Sequence, residues 1–136
     1  MMRILIVDDN EALTVLMKEM LETEGVYDVE TAENGEDGYL AFLNFKPDVI
    51  LTDIEMPVKN GIEMVRDIRV HYPSVKTIYM SGDLNRYRML LENEETEYKA
   101  DLLNKPFSFS KVMGLFHEYQ NEATDMRCHS QGDLCQ

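Results

Sequence analysis

Pro47-Asp48-Val49-Ile50-Leu51-Thr52-Asp53-Ile54-Glu55-Met56-Pro57 is the stretch whose reading decides the fold. Asp48 to Thr52 is too short for a helix of ordinary length and is strongly apolar, the pattern of a strand covered on both faces. It ends abruptly in an acid, Asp53, and prolines close it on either side. A strand buried on both faces belongs to a parallel sheet, whose neighbours must be joined by crossover helices.

The same pattern stands at the start of the chain. Ile4-Leu5-Ile6-Val7 is a second short apolar run, again ending in acid at Asp8-Asp9, and Asn10 then offers a cap to a helix. In that helix Leu13, Leu16, Met17, Met20 and Leu21 fall at spacings that gather them on one face, and Gly25 stops it. Asp28 to Thr31 is a predicted strand and Glu36 to Phe45 a predicted helix, terminated by Lys46-Pro47. Beyond Asp53, Met64, Val65 and Ile68 share a helix face with Gly61, and Val75 to Met80 forms a fourth strand ending at Ser81. Asn85 to Leu91 is predicted helical, whereas Glu92-Asn93-Glu94-Glu95-Thr96-Glu97 carries no apolar face and is expected to be exposed. Ala100 to Asn104 is a fifth strand, and a last helix from Ser108 buries Val112, Met113 and Phe116. The expected fold is α/β, a doubly wound five-stranded parallel sheet with helices on both faces. One domain over residues 1–121 is followed by a flexible tail over 122–136, where apolar periodicity is lost.

The formal net charge of −13 argues against binding a phosphate backbone or an anionic membrane. No run approaches the roughly 20 apolar residues that cross a bilayer, and no signal peptide precedes the first strand, so a cytoplasmic protein is expected. Cys128 and Cys135 lack the second pair of a zinc site and are assigned no chemistry.

In sheets of this kind ligands bind outside the carboxyl ends of the strands. Those ends carry Asp8 and Asp9, Asp53, Ser81 and Lys105. Singly, each has an ordinary structural use, as a strand end, a helix cap or a solvated side chain. Together on one rim they need a common explanation, because carboxylates about 4 Å apart repel by about 4 kcal/mol at an effective dielectric near 20. A hard divalent cation bound through oxygens offsets that repulsion, with Mg²⁺ (or Mn²⁺) the expected ion. Lys105 can pair with a phosphate oxygen while the Ser81 hydroxyl donates to another. An Asp placed beside a metal and a Lys suits attack on phosphorus to give an aspartyl phosphate.

These residues, with Ala32-Glu33-Asn34-Gly35, Asn60-Gly61, Ser81-Gly82 and Lys105-Pro106-Phe107, resemble the receiver domains of bacterial two-component response regulators. The resemblance covers Arg3 to about Tyr119 and implies the flavodoxin-like strand order 2-1-3-4-5. By that resemblance Asp53 is the phosphoacceptor, and Asp9 and Asp53 are direct metal ligands joined by the backbone carbonyl of Glu55. Asp8 acts through metal-bound water, and Ser81 and Lys105 engage the phosphoryl group. Glu55 and Asp83 occupy positions that tune phosphoryl lifetime. Leu102 stands where the family often carries an aromatic switch residue. The resemblance also implies phosphorelay from a sensor histidine kinase or a histidine phosphotransfer protein, a downstream protein target, and a monomer or phosphorylation-dependent dimer. No output domain is expected within the chain. It is expected not to be an enzyme beyond assisting its own phosphorylation and dephosphorylation.

Three other readings compete. A Mg²⁺-dependent phosphohydrolase with an aspartyl nucleophile would turn over external substrates, but Asp8 and Asp9 are adjacent rather than spaced by one residue. A receiver-like binding module that is never phosphorylated would ordinarily lack one of the five rim residues. A flavin carrier would need a Ser/Thr/Gly-rich phosphate loop after the first strand, and none is present.

Overall fold

The computed structural model describes residues 1–130, with side chains described as far as residue 123. The first compact unit, Met1–Lys105, alternates strand and helix: β1 (Met2–Val7), α1 (Glu11–Thr23), β2 (Tyr27–Ala32), α2 (Gly35–Phe45), β3 (Val49–Asp53), α3 (Gly61–Arg69), β4 (Lys76–Ser81), a 3-10 turn (Leu84–Tyr87), α4 (Arg88–Thr96) and β5 (Asp101–Asn104). All strand pairs are parallel and the sheet order is β2-β1-β3-β4-β5, the order the resemblance implied. Right-handed crossovers in that order put α1 on one face and α2, α3 and α4 on the other, because the chain reverses direction across the sheet after β2.

The strands divide their side chains accordingly. Leu5, Val7, Ile50 and Tyr79 point into the core shared with Phe42, Ile62, Met64, Val65, Ile68 and Leu91 of the three helices. The intervening Ile4, Ile6, Leu51 and Ile78, all fully buried, face the α1 side. In α1 the buried positions are Thr14, Met17 and Leu21, so Leu16 and Met20 of the predicted apolar face are exposed instead.

Local chemistry fixes where the helices start. Asn10, Asn34 and Asn60 cap α1, α2 and α3 by accepting the N–H of Leu13, Asp37 and Glu63. Gly35 is required by close approach: a Cβ there would lie 2.3 Å from the Lys59 carbonyl oxygen, and the Gly35 N–H donates to that same oxygen at 3.0 Å.

One expectation is corrected between β4 and β5. The segment Glu92 to Glu97 is not exposed throughout, because Glu94 is buried beside Leu91 on the inner face of α4. The helix predicted from Asn85 starts as a 3-10 turn and becomes α-helical only at Arg88.

The second unit begins at Pro106 and contains α5 (Phe109–Ser130). Among its residues whose side chains are described, Val112, Met113, Phe116 and Tyr119 are buried, and the Phe116 and Tyr119 rings meet edge to face at 6.4 Å. The helix continues to Ser130, past the loss of apolar periodicity at Asn121. The last part of the expected tail, residues 131–136, lies outside the described residues.

Candidate functional site

Parallel strands bring their carboxyl ends to one edge, and register sets the height of each end. Val7 pairs with Thr52, Asp53 with Met80 and Ser81 with Asn104. The residues at or just beyond these positions, Asp8, Asp9, Asp53, Ser81 and Lys105, therefore gather on one rim, as the sequence predicted.

Carboxylate oxygens of Asp8, Asp9 and Asp53 lie within 4.8 Å of one another. Asp8 and Asp53 are buried, at 1% and 7% exposure, while Asp9 faces solvent. The Lys105 ammonium sits between the two buried acids, 3.1 Å from Asp8 Oδ2 and 3.2 Å from Asp53 Oδ2. The other oxygen of Asp8 accepts the Asn10 N–H at 2.9 Å, which fixes the carboxylate against the start of α1.

Burial pushes the Asp53 carboxyl above its ordinary range and the charge of Asp8 adds to this, outweighing the pull of Lys105 and of the Glu55 N–H. Burial alone would lower Lys105, but the charge of Asp53 and hydrogen bonding to Asp8 reverse the direction and hold it above the usual lysine value. Asp53 is thus a poorly solvated carboxylate whose proton affinity is raised, next to a permanent cation. Such a group gains from a further positive charge.

The donor set fits a hard divalent cation. Three carboxylates converge, all offering oxygen, and the exposed Asp9 leaves one side open to waters or phosphate oxygens. Among the described residues no His or Cys joins this cluster, which disfavours zinc-type chemistry there.

Ser81 is fully buried, and its hydroxyl oxygen accepts the Asp83 N–H at 2.9 Å while donating to Glu55 Oε1 at 3.4 Å. Glu55 therefore touches the site through its side chain. The Asp83 carboxylate instead accepts the Arg86 N–H and caps the 3-10 turn. Leu102 is half-buried, pairs in register with Tyr79 of β4 and packs against the α2–α4 side of the core. The acidic stretch before β5 is left with Glu92, Glu95 and Glu97 exposed.

The structure also assembles a group the sequence reading missed. Arg69 of α3 reaches Glu94 of α4 through Nε at 3.1 and 3.0 Å and Nη2 at 2.8 Å, and the Tyr79 hydroxyl donates to the same carboxylate at 2.7 Å. All three residues are buried. Burial and then Glu94 drive the Tyr79 hydroxyl far above the ordinary tyrosine value. The available signal was an arginine directly after Ile68 on an apolar helix face, and a glutamate three residues after Leu91.

Comparison with known proteins agrees with this geometry. Residues 4–116 match the family model for the response regulator receiver domain. The chain is 36% identical over 113 residues to protein CcdB of Bacillus subtilis, covering 83% of this chain and 92% of that one. It is 32% identical over 111 residues to the chemotaxis protein CheY of Thermotoga maritima, covering 82% and 91%. Among solved structures it is similar to the response regulator TrrA of Thermotoga maritima in complex with Mg²⁺–BeF, with 34% identity, a TM-score of 0.72 and coverage of 87% and 98%. A CheY-like receiver domain protein from Methanospirillum hungatei gives 29% identity, a TM-score of 0.79 and coverage of 93% and 98%. With the family model spanning most of the chain and the acidic rim built at the strand ends, this chain belongs to the receiver domains of two-component response regulators.

Proposed function

We propose that this receiver takes a phosphoryl group on Asp53 from a histidine kinase or a histidine phosphotransfer protein and signals through a phosphorylation-dependent protein surface. The observation that carries the reading is the Lys105 ammonium held between Asp8 and Asp53 beside a third carboxylate.

Asp53 supplies the attacking oxygen. Its carboxylate is anchored at the end of β3, and the Ile54 N–H donates to Met80 at 3.0 Å, so the nucleophile is held rather than mobile. Asp8, Asp9, Asp53 and the backbone carbonyl of Glu55 would hold Mg²⁺ or Mn²⁺, which when bound neutralises charge on the phosphoryl oxygens. Lys105 neutralises a further phosphoryl oxygen, and the buried Ser81 hydroxyl donates to another once it leaves Glu55. The Asp53 oxygen forms its bond to phosphorus as the donor's histidine nitrogen leaves with the electron pair. Hydrolysis returns inorganic phosphate, and the chain turns over no external substrate. On this reading it is not an enzyme in the usual sense, and we place its action in the cytoplasm. No described helix is long and apolar enough to cross a membrane.

Beryllofluoride, which imitates a phosphoryl group on a carboxylate, tests the assignment. With Mg²⁺ it is expected to shift the amide resonances around Asp53, Ser81 and Lys105 in the wild type. Asp53→Asn should abolish the shifts and Lys105→Met should weaken binding. Equal shifts in wild type and Asp53→Asn would refute the role given to Asp53.

A further inference from the structure

Helix α4 is held unevenly along its length. Its buried residues are Leu91 and Glu94, whereas Arg88, Met89 and Leu90 in its first turn are exposed, Met89 at 89%. The first turn has no side-chain cap, since Tyr87 at the cap position makes no such hydrogen bond, and it continues from a 3-10 turn with no buried residue. Four residues on from Leu90, the Glu94 carboxylate accepts from the Arg69 guanidinium and from the Tyr79 hydroxyl. Arg69 is itself fixed by donating to the carbonyls of Pro73 and Val75, each at 2.9 Å. An ion pair this buried resists separation, because either partner left alone would be a desolvated charge.

The other end of the segment is tied to the reacting group. The Asp83 N–H donates to Ser81 Oγ at 2.9 Å, so re-aiming the Ser81 hydroxyl toward a phosphoryl group disturbs the segment at Gly82 and Asp83. A displacement entering there meets only the half-buried Leu84 and Tyr87, which pack on the core, before the buried Leu91 and Glu94. We propose that Glu94, clamped by Arg69 and Tyr79, is the pivot that confines the response to phosphorylation to Gly82–Leu90 and keeps the second half of α4 fixed. The device rests on the assignment of Asp53 as phosphoacceptor. Tyr79 joins the pivot to the strand that ends in Ser81 and pairs with Leu102, where the sequence offered no aromatic switch.

Residue-resolved amide hydrogen exchange of the intact chain, with and without Mg²⁺ and beryllofluoride, tests it. In the wild type, exchange should slow at residues 53–61 and change by at least about threefold at 82–90, with 93–97 unaltered. Tyr79→Phe keeps the ion pair and Glu94→Gln keeps the side-chain volume; in both, the change should spread into 93–97. Slowed exchange at 53–61 with equal changes across 82–97 in the wild type would overturn the pivot alone, as would confinement that survives both substitutions. No effect at 53–61 in the wild type would overturn the phosphoacceptor assignment, and the pivot with it.

Discussion

A side-chain carbon on Gly61 would fall 2.2 Å from the carbonyl oxygen of Asp53 and 2.9 Å from Thr52 Oγ1. The Gly61 N–H donates to the Ile54 carbonyl at 3.0 Å, so the start of α3 is pressed against the backbone of the nucleophile strand. Backbone cannot rotate aside as a side chain can. Gly61→Ala is therefore expected to lower unfolding stability by about 2 kcal/mol, the usual scale of overpacking, and to weaken Mg²⁺ binding by displacing Asp53. Urea unfolding and Mg²⁺ titration calorimetry measure both; an unaltered midpoint and affinity would show that the contact relaxes freely.

Val58 occupies the left-handed region at φ 71° in the loop between Asp53 and α3, and is 75% exposed. A β-branched residue is strained there and its exposed side chain recovers little by packing, whereas Asn tolerates that conformation. Val58→Asn should raise stability by about 1 kcal/mol, read as a higher Tm. A lower Tm would mean that the valine makes a contact outweighing its strain.

Tyr79 gives a pH dependence with a definite sign. Its folded value is raised by burial and by Glu94, so above the unfolded tyrosine value of about 10 the unfolded chain releases this proton while the folded chain keeps it. The stability contributed by the hydroxyl is fully present below that pH and falls as pH rises beyond it, by up to about 1.4 kcal/mol per unit. Tyr79→Phe should be less stable than wild type at pH 7 by about 1–2 kcal/mol, with the gap closing between pH 9 and 11. A gap that stays constant across that range would remove the hydroxyl from the account.

Glu55 and Asp83 flank Ser81 in different ways. The Glu55 carboxylate receives the Ser81 hydroxyl, while the Asp83 carboxylate is engaged in capping the turn. Glu55→Ala is expected to change the half-life of the phosphorylated protein by at least about twofold, and Asp83→Ala by less, because only the first frees the hydroxyl. Dephosphorylation followed by phosphoprotein electrophoresis measures this. Unchanged half-lives in both would remove the modulating role of either acid.

Strand-end chemistry was legible in the sequence because a parallel sheet converts order along the chain into position on a rim. Short apolar runs ending at Asp8, Asp53 and Ser81 could hardly end anywhere else, and Lys105 followed from β5. Glu94 was misplaced because a single glutamate among Glu92, Glu95 and Glu97 shows no periodic signal of burial, and its partners Arg69 and Tyr79 come from other elements. Leu16 and Met20 erred the other way. Both suit the helical spacing, but α1 buries a narrow stripe of Thr14, Met17 and Leu21, and only packing reveals which residues it holds.

The most direct test of the central claim is the intact mass of the protein after incubation with acetyl phosphate, with and without Mg²⁺. One phosphoryl adduct is expected that requires Mg²⁺, is lost on treatment with hydroxylamine as an acyl phosphate should be, and is absent from Asp53→Asn. An adduct of equal yield in Asp53→Asn, or none in the wild type with either acetyl phosphate or a phosphorylated histidine donor, would contradict it.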